Sequence, residues 1–200
     1  MIGFMLADGN ITQIKRNGKL SNCYAIKIEI ITADEYILKE FQNIIGSHNH
    51  IHRTIRNRQN SILYTSAINV QSTKMAHDLF RYGIIPNKTF KTYLSNQIPF
   101  KYMRDYIRGI FDGDGTVYKY RKKYLRFAFY GTYKLMFDIR EFLYNTVGLS
   151  KNAIITQKNE NVSFIPYAKK QDCYKFYHYI YDDANLYLKR KKQIFDKFKL

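Results

Sequence analysis

Ile107-Arg108-Gly109-Ile110-Phe111-Asp112-Gly113-Asp114-Gly115 lies in the middle of a 200-residue chain that opens on Met1-Ile2-Gly3-Phe4-Met5-Leu6-Ala7-Asp8-Gly9. The two stretches align at an offset of 106, which sets Gly3 on Gly109, Asp8 on Asp114 and Gly9 on Gly115. Farther on, Ile44-Ile45-Gly46 matches Thr146-Val147-Gly148 at an offset of 102, so the chain reads as two related halves, residues 1–96 and 97–200. Each half predicts the same order: an apolar helix ending in Asp-Gly, a hairpin, an amphipathic helix stopped at Gly, a second hairpin and another helix. A last basic helix, about residues 184–198, has no full counterpart in the first half.

Gly3 and Ala7 are four residues apart, as are Gly109 and Gly113, so each apolar helix carries small residues on one face. Glycine inside a helix costs ~1 kcal/mol against alanine, and its recurrence at matching positions predicts that the two helices pack on each other. Asp8 and Asp114 sit at helix carboxyl ends, where the dipole disfavours a carboxylate. If the helices pack in parallel, both acids and both negative ends converge, and cations must join them. Hard divalent ions, Mg²⁺ or Mn²⁺, suit such oxygen ligands, and carboxylates holding metals beside a phosphate make a hydrolytic site.

Working outward, Asn17-Gly18 is a two-residue hairpin turn, and Tyr24, Ile26, Ile28 and Ile30 alternate as one face of a half-buried strand. Thr32 and Glu35 are spaced as a capping box for a helix that Gly46 stops. Strands at about 51–58 and 61–71 flank Gln59-Asn60, and a helix follows from about Thr73 to Tyr82. The second half repeats this with strands over about 116–121 and 124–130, a helix over about 133–147, a hairpin around Asn159-Glu160-Asn161 and a helix over about 170–181. Lys88 to Pro99 joins the halves.

Lys and Arg number 33 against 16 Asp and Glu, a formal charge of +17, which points to a polyanionic partner. With 19 Tyr and 14 Phe the chain has the aromatics for a core, which excludes a disordered basic tail. No apolar run is long enough to span a bilayer, so a soluble, unsecreted protein is expected. The charge is concentrated in the predicted strands, whose four segments hold fifteen basic residues against two acids, Glu29 and Glu160. Antiparallel sheets with a basic face fit the major groove of duplex DNA. The residues expected to meet it are Gln13, Lys15, Arg16, Lys27, Arg53, Arg56 and Arg58 in the first half, and Lys119, Arg121, Lys123, Arg126 and Lys158 in the second.

The two nonapeptides resemble the paired signature helices of the LAGLIDADG homing endonucleases in their single-chain, two-motif form, and the resemblance extends over almost the whole chain. It implies an α+β fold of two pseudo-symmetric αββαββα halves, with saddle-shaped antiparallel sheets and the signature helices packed at the interface. It also implies a monomer that cuts both strands of a long, nearly non-palindromic DNA site in a metal-dependent reaction, leaving short 3′ overhangs. Asp8 and Asp114 match the metal-binding carboxylates, with the Ala7 and Gly113 carbonyls as further ligands. The basic or polar group that such sites hold near each second hairpin falls on Gln71 and Lys74 in one half and on Lys169 and Lys170 in the other, with Lys27 as another candidate. Leu6 departs from the motif where Asp112 keeps its acid. Two rival readings retain the fold without cutting DNA: an intron RNA-splicing maturase, for which RNA is the partner, and a DNA-binding regulator.

Cys23 and Cys173 match no metal spacing and are expected as buried thiols. His48, His50 and His52 lack the ββα context of a metal nuclease and are expected to be exposed or in contact with phosphate.

Overall fold

A computed structural model describes residues 1–58, 61–120 and 124–198. Helix α1 (Ile2–Asp8) runs directly into strand β1 (Gly9–Arg16). Asn17 and Gly18 take positive φ, 49° and 76°, the geometry that lets a two-residue turn follow the twist of its strands, and β2 (Lys19–Ile31) returns antiparallel. After a 3-10 turn at Thr32–Asp34 come α2 (Tyr36–Ile45), β3 (His52–Arg58), β4 (Ser61–Gln71) and α3 (Thr73–Phe80). A 3-10 turn at Lys88–Phe90 and another at Phe100–Tyr102 precede α4 (Met103–Asp114). The order then repeats: β5 (Thr116–Tyr120), β6 (Tyr124–Gly131), α5 (Tyr133–Phe142), β7 (Thr156–Gln157), β8 (Ser163–Tyr167) and α6 (Lys170–Tyr181), with α7 (Lys189–Asp196) last. Both sheets are antiparallel with the same topology, β1-β2-β4-β3 and β5-β6-β8-β7.

Gly46 and Gly148 both take left-handed conformations, φ 60° and 70°, and end the helical segments before them. The helix expected over 133–147 changes character on the way: α5 stops at Phe142 and Leu143–Val147 is a π turn. The expected capping box is not formed, because Glu35 is engaged elsewhere. Its carboxylate accepts from Arg53 Nε at 2.7 Å, Arg53 Nη2 at 2.8 Å and Ser66 Oγ at 2.8 Å, which ties the start of α2 to β3 and β4.

These bonds, the Arg53 guanidinium foremost, hold the Glu35 pKa down at about 2. A carboxyl depressed by folding stabilises the protein above its unfolded pKa and loses that contribution as pH falls through the folded value. Denaturant unfolding between pH 5 and about 2 should therefore show an acid-side loss of stability that Glu35→Gln makes shallower. Parallel acid limbs for the two proteins would contradict this role.

Contacts divide the chain into two compact units, one formed by Met1–Ala7 with Lys88–Leu200 and one by Asp8–Asn87. This partition differs from the repeat halves 1–96 and 97–200, because α1 packs with the elements of the second half. In the Asp8–Asn87 unit, Ile11, Ile26, Ile28 and Ile68 bury one face of the sheet together with Ile37, Leu38 and Phe41 of α2. In the other unit, Phe111 of α4 lies at 5.0–6.1 Å from the rings of Phe127, Phe129, Phe176 and Phe195, an aromatic core between sheet and helices. Cys173 is fully buried there, where burial pushes its thiol up to about 12, while Cys23 is half-buried in the other unit.

Helices α1 and α4 touch backbone to backbone at the matched glycines. A methyl group at Gly3 would lie 2.0 Å from the Tyr106 carbonyl oxygen, and one at Gly109 would lie 2.6 Å from the Phe4 nitrogen. Neither clash can be relieved by a side-chain rotation. Gly3→Ala or Gly109→Ala should lower stability by about 1–3 kcal/mol, the range for overpacking a filled interior, despite the higher helix propensity of alanine. An unchanged urea midpoint would contradict the close crossing.

Candidate active site and nucleic-acid interface

Helix α4 ends at Asp114 because Gly115 turns to extended backbone, φ −80° and ψ 162°, while its N–H still closes a bond to the Phe111 carbonyl at 2.8 Å. A methyl group on Gly115 would meet the Phe111 ring at 2.3 Å. The helix end is held by a lysine from far along the chain. Lys191 of α7 is 4% exposed, and its ammonium donates to the carbonyls of Phe111 at 2.7 Å, Asp112 at 2.6 Å and Gly115. Three acceptors match its three donors, and a cation at a helix carboxyl end is favoured by the dipole. Asp112 completes the clasp from the other side. Its carboxylate accepts from the Leu188 N–H at 2.9 Å, at the amino end of α7, and lies 3.5 Å from the Tyr181 hydroxyl. Burial pushes the Asp112 pKa up to about 6, against the Leu188 bond and the charges of Lys191, Arg108 and Arg190. The acid that Leu6 lacks thus serves, in α4, to dock the last helix.

Asp114 keeps a side open to solvent. The protein packed around the rest of it raises its pKa by desolvation, and the positive charges of Lys88 and Lys191 oppose that rise. Lys88, 8% exposed, donates from Nζ to the Ala7 carbonyl at 3.0 Å, at the end of α1. One unit therefore gathers two helix ends, each with a lysine on its carbonyls, and an acid whose charge is under both lysines' influence. Among the described residues no cluster of three or more His, Cys, Asp or Glu forms a complete metal cage. Magnesium sites of one or two carboxylates completed by substrate phosphates need none, and the open Asp114 carboxylate supplies a hard oxygen ligand of that kind. Asp8, the last residue of α1, is half-buried and leads straight into β1.

Lys88 and Lys191 were both missed in the sequence, one in a joining segment and the other in a basic helix without a counterpart. They lie 103 positions apart, between the offsets of 102 and 106 that relate the halves, and that spacing was the available signal. The other candidates lie elsewhere. Lys74 projects from the first turn of α3, 90% exposed, and pairs with Asp78 of the same helix at 3.2 Å. Lys169 and Lys170 are exposed at the start of α6. Gln71 is exposed at the end of β4, opposite Ala25.

In both sheets one face is packed and the other is open. On the open face of β1-β2-β4-β3, Asn10, Lys27 and Asn69 form one row across three strands, and Thr12, Ala25 and Gln71 form the next. Lys27 bonds Glu29 at 2.6 Å, and Arg56 also reaches Glu29, whose Oε1 accepts from Thr65 Oγ1 at 3.0 Å. Lys15 and Arg16 are exposed at the hairpin end, and Gln13 spends its amide on the Ser21 carbonyl at 2.9 Å. Arg58 pairs with Ser61 at the end of β3. Arg126 lies over the Tyr120 ring at 3.7 Å, and Lys158 over Tyr130 at 5.8 Å, on the open side of the other sheet.

Two of the expected contacts fall on the packed side instead. Arg53 is opposite Ser66 and bound to Glu35, and Lys119 follows buried Val117 by two residues, with its ammonium 5.6 Å from the Phe198 ring. Arg121 and Lys123, like the Gln59-Asn60 turn, lie outside the described residues. His50 and His52 contact each other at 4.9 Å between ring centroids and are exposed, as is His48.

No protein-family model matches the chain, and comparison with curated protein sequences finds no match. Solved structures do match. The homing endonuclease I-WcaI bound to its DNA recognition sequence superposes with a TM-score of 0.67 at 16% identity, over 97% of this chain and 83% of that one. The LAGLIDADG homing endonuclease I-GzeII in complex with a DNA target gives 0.62 at 14% identity, and the LAGLIDADG meganuclease I-CpaMI bound to uncleaved DNA gives 0.62 at 15%, each over 99% of this chain and 87% and 88% of theirs. The chain has the fold of the LAGLIDADG homing endonucleases. No helix among the described residues is long and apolar enough to cross a membrane.

Proposed function

We propose that this chain is a metal-dependent endonuclease that cuts both strands of a long, nearly non-palindromic DNA duplex, leaving short 3′ overhangs. The observation that carries the reading is Asp114: an open carboxylate at a helix end, under the charge of two lysines whose ammonium groups are fixed on backbone carbonyls. Neither a regulator that only binds DNA nor a maturase needs such an acid, so its presence at both helix ends argues against them. The basic open faces of two sheets and the DNA-bound relatives of the same fold support duplex DNA as the partner.

In this reading Asp114 and its repeat counterpart Asp8 would hold Mg²⁺ or Mn²⁺, with the Ala7 and Gly113 carbonyls as further candidate ligands. The bound ion would activate water and stabilise the leaving 3′ oxygen. Lys88 and Lys191, rather than Lys74, Lys169 or Lys170, offset the negative charge that grows on the phosphate. Their carbonyl bonds hold the ammonium groups in place, so little reorganisation is needed as that charge develops. Lys27 and Gln71 belong to the DNA-reading face. The repeat halves 1–96 and 97–200 each serve one strand, within a monomer.

The test is a selection in which a library of randomised duplexes is incubated with the protein and Mg²⁺, and the cut molecules are recovered. Enrichment of one long sequence with short 3′ overhangs is expected. Ca²⁺ in place of Mg²⁺ should allow binding without cutting. Recovery of bound but uncut duplexes in Mg²⁺ and Mn²⁺ would favour a regulator, and preferential capture of structured RNA would favour a maturase.

A further inference from the structure

The two open sheet faces have the same topology but different chemistry at equivalent positions. The row beginning one residue after Gly9 is Asn10, Lys27 and Asn69, two amides flanking an ammonium. The row beginning one residue after Gly115 is Thr116, Ala128 and Pro166. Farther along the second sheet, Tyr118 faces Arg126, Tyr120 faces Tyr124, and Tyr130 stacks on Phe164 at 5.5 Å.

Amides and cations distinguish base edges in the major groove, because Asn or Gln suits adenine and Lys or Arg suits guanine. Methyl groups offer contact to thymine methyls, and the hydroxyls of Thr and Tyr, which both donate and accept, bond any base edge with little discrimination. The first face is also preset: Glu29 fixes both Lys27 and Arg56, and the pairing of Lys27 with this acid keeps it from settling on any passing phosphate. On the second face Arg126 lies against the Tyr120 ring, and its Nε is buried without a hydrogen-bond partner. Arg126, with Lys158 over the Tyr130 ring, supplies the cations among the residues described there, and of the two only Arg126 carries the planar fork that reads a guanine edge.

From these rows we infer that sequence discrimination is unequal between the two halves of the DNA target. The half lying on β1-β2-β4-β3 is read stringently by hydrogen bonds. The half lying on β5-β6-β8-β7 is held mainly by apolar contact and shape, with one sharply read base pair under Arg126. This inference rests on the reading of the chain as a duplex-DNA enzyme.

The test is the sequence profile of duplexes bound in Ca²⁺ by the full chain, its Asn10→Ala, Asn69→Ala double variant and its Tyr118→Ala variant. All three substitutions are at exposed positions, so folding should survive, and a thermal melt of each variant checks that it has. The wild-type profile should be strongly selective on one side of the centre and permissive on the other. The double variant should relax about two positions on the selective side, each by about tenfold or more, the loss expected when a well-placed base contact is removed. Tyr118→Ala should weaken binding while leaving the selective side unchanged. Equal selectivity on both sides, or relaxation of the permissive side by the Asn substitutions, would overturn the inference while leaving the DNA-enzyme reading intact. A wild-type protein that selects no sequence would overturn that reading itself.

Discussion

Asp114→Asn is expected to stop double-strand cleavage in Mg²⁺, slowing it by more than about 10³-fold, beyond the loss that follows removal of a single transition-state donor. The amide keeps the size of the side chain but not the charge that holds a hard divalent ion. Asp8→Asn should act the same way, since it occupies the matching position of the repeat. Binding to the selected duplex should stay within about tenfold, a change of roughly 1.4 kcal/mol, because the proposed reading assigns the sequence contacts to the sheets and not to the helix ends. Loss of a desolvated negative charge should also leave the fold at least as stable, since burial already raises the Asp114 pKa. Folding stability follows the sign of that shift: a carboxyl with a raised pKa costs stability above its folded pKa and stops doing so once protonated. A variant of either acid that cuts at the parental rate would contradict the site.

Lys88→Met and Lys191→Met should each slow one strand more than the other, by about 10²–10³-fold for the affected phosphate, so that nicked circles accumulate before linear product on a plasmid carrying the selected site. Each lysine serves one helix end, and each helix end serves one half of the repeat. Lys191→Met also removes the donor to three carbonyls at the end of α4, so its melting temperature should fall and its rate must be compared below the new transition. Lys88→Met, which strips one observed carbonyl bond, provides the cleaner measurement. The Lys169→Met, Lys170→Met double variant should leave the nicked-to-linear ratio at the parental value, since both side chains are exposed at the start of α6. Equal slowing of both strands by Lys88→Met would mean that this lysine stabilises the fold alone.

Much of this architecture was legible because it follows from short-range rules. Period-two alternation placed the strands, Asn17-Gly18 specified its turn, and Gly46 and Gly148 marked helix ends that only a left-handed residue completes. The paired Gly3 and Gly109 announced the close crossing of α1 and α4. What stayed hidden depends on partners distant in sequence. The run Lys189-Arg190-Lys191-Lys192 reads as solvated charge, and only the spacing of Leu188, Lys191 and Phe195 at i, i+3 and i+7 sets Lys191 on the buried face of α7. Lys88 sits among linker residues.

Other misassignments were avoidable in principle. Arg53 and Arg56 are three apart in one strand, so alternation forbids both from lying on the open face, and the pairing of Arg53 with Glu35 shows which of the two faces the helices. Lys119 follows the same logic from Val117. The capping-box pattern at Thr32 and Glu35 failed because a stronger, bidentate partner claimed the carboxylate. No sequence rule anticipated the π turn at Leu143–Val147.

The most direct measurement is single-turnover cleavage of the selected duplex, labelled separately on each strand, in Mg²⁺ and after chelation. The account predicts that both strands are cut in Mg²⁺, offset to leave short 3′ overhangs, and that neither is cut once the metal is removed although the duplex stays bound. Tight, sequence-specific binding with both strands intact in Mg²⁺ and in Mn²⁺ would contradict it.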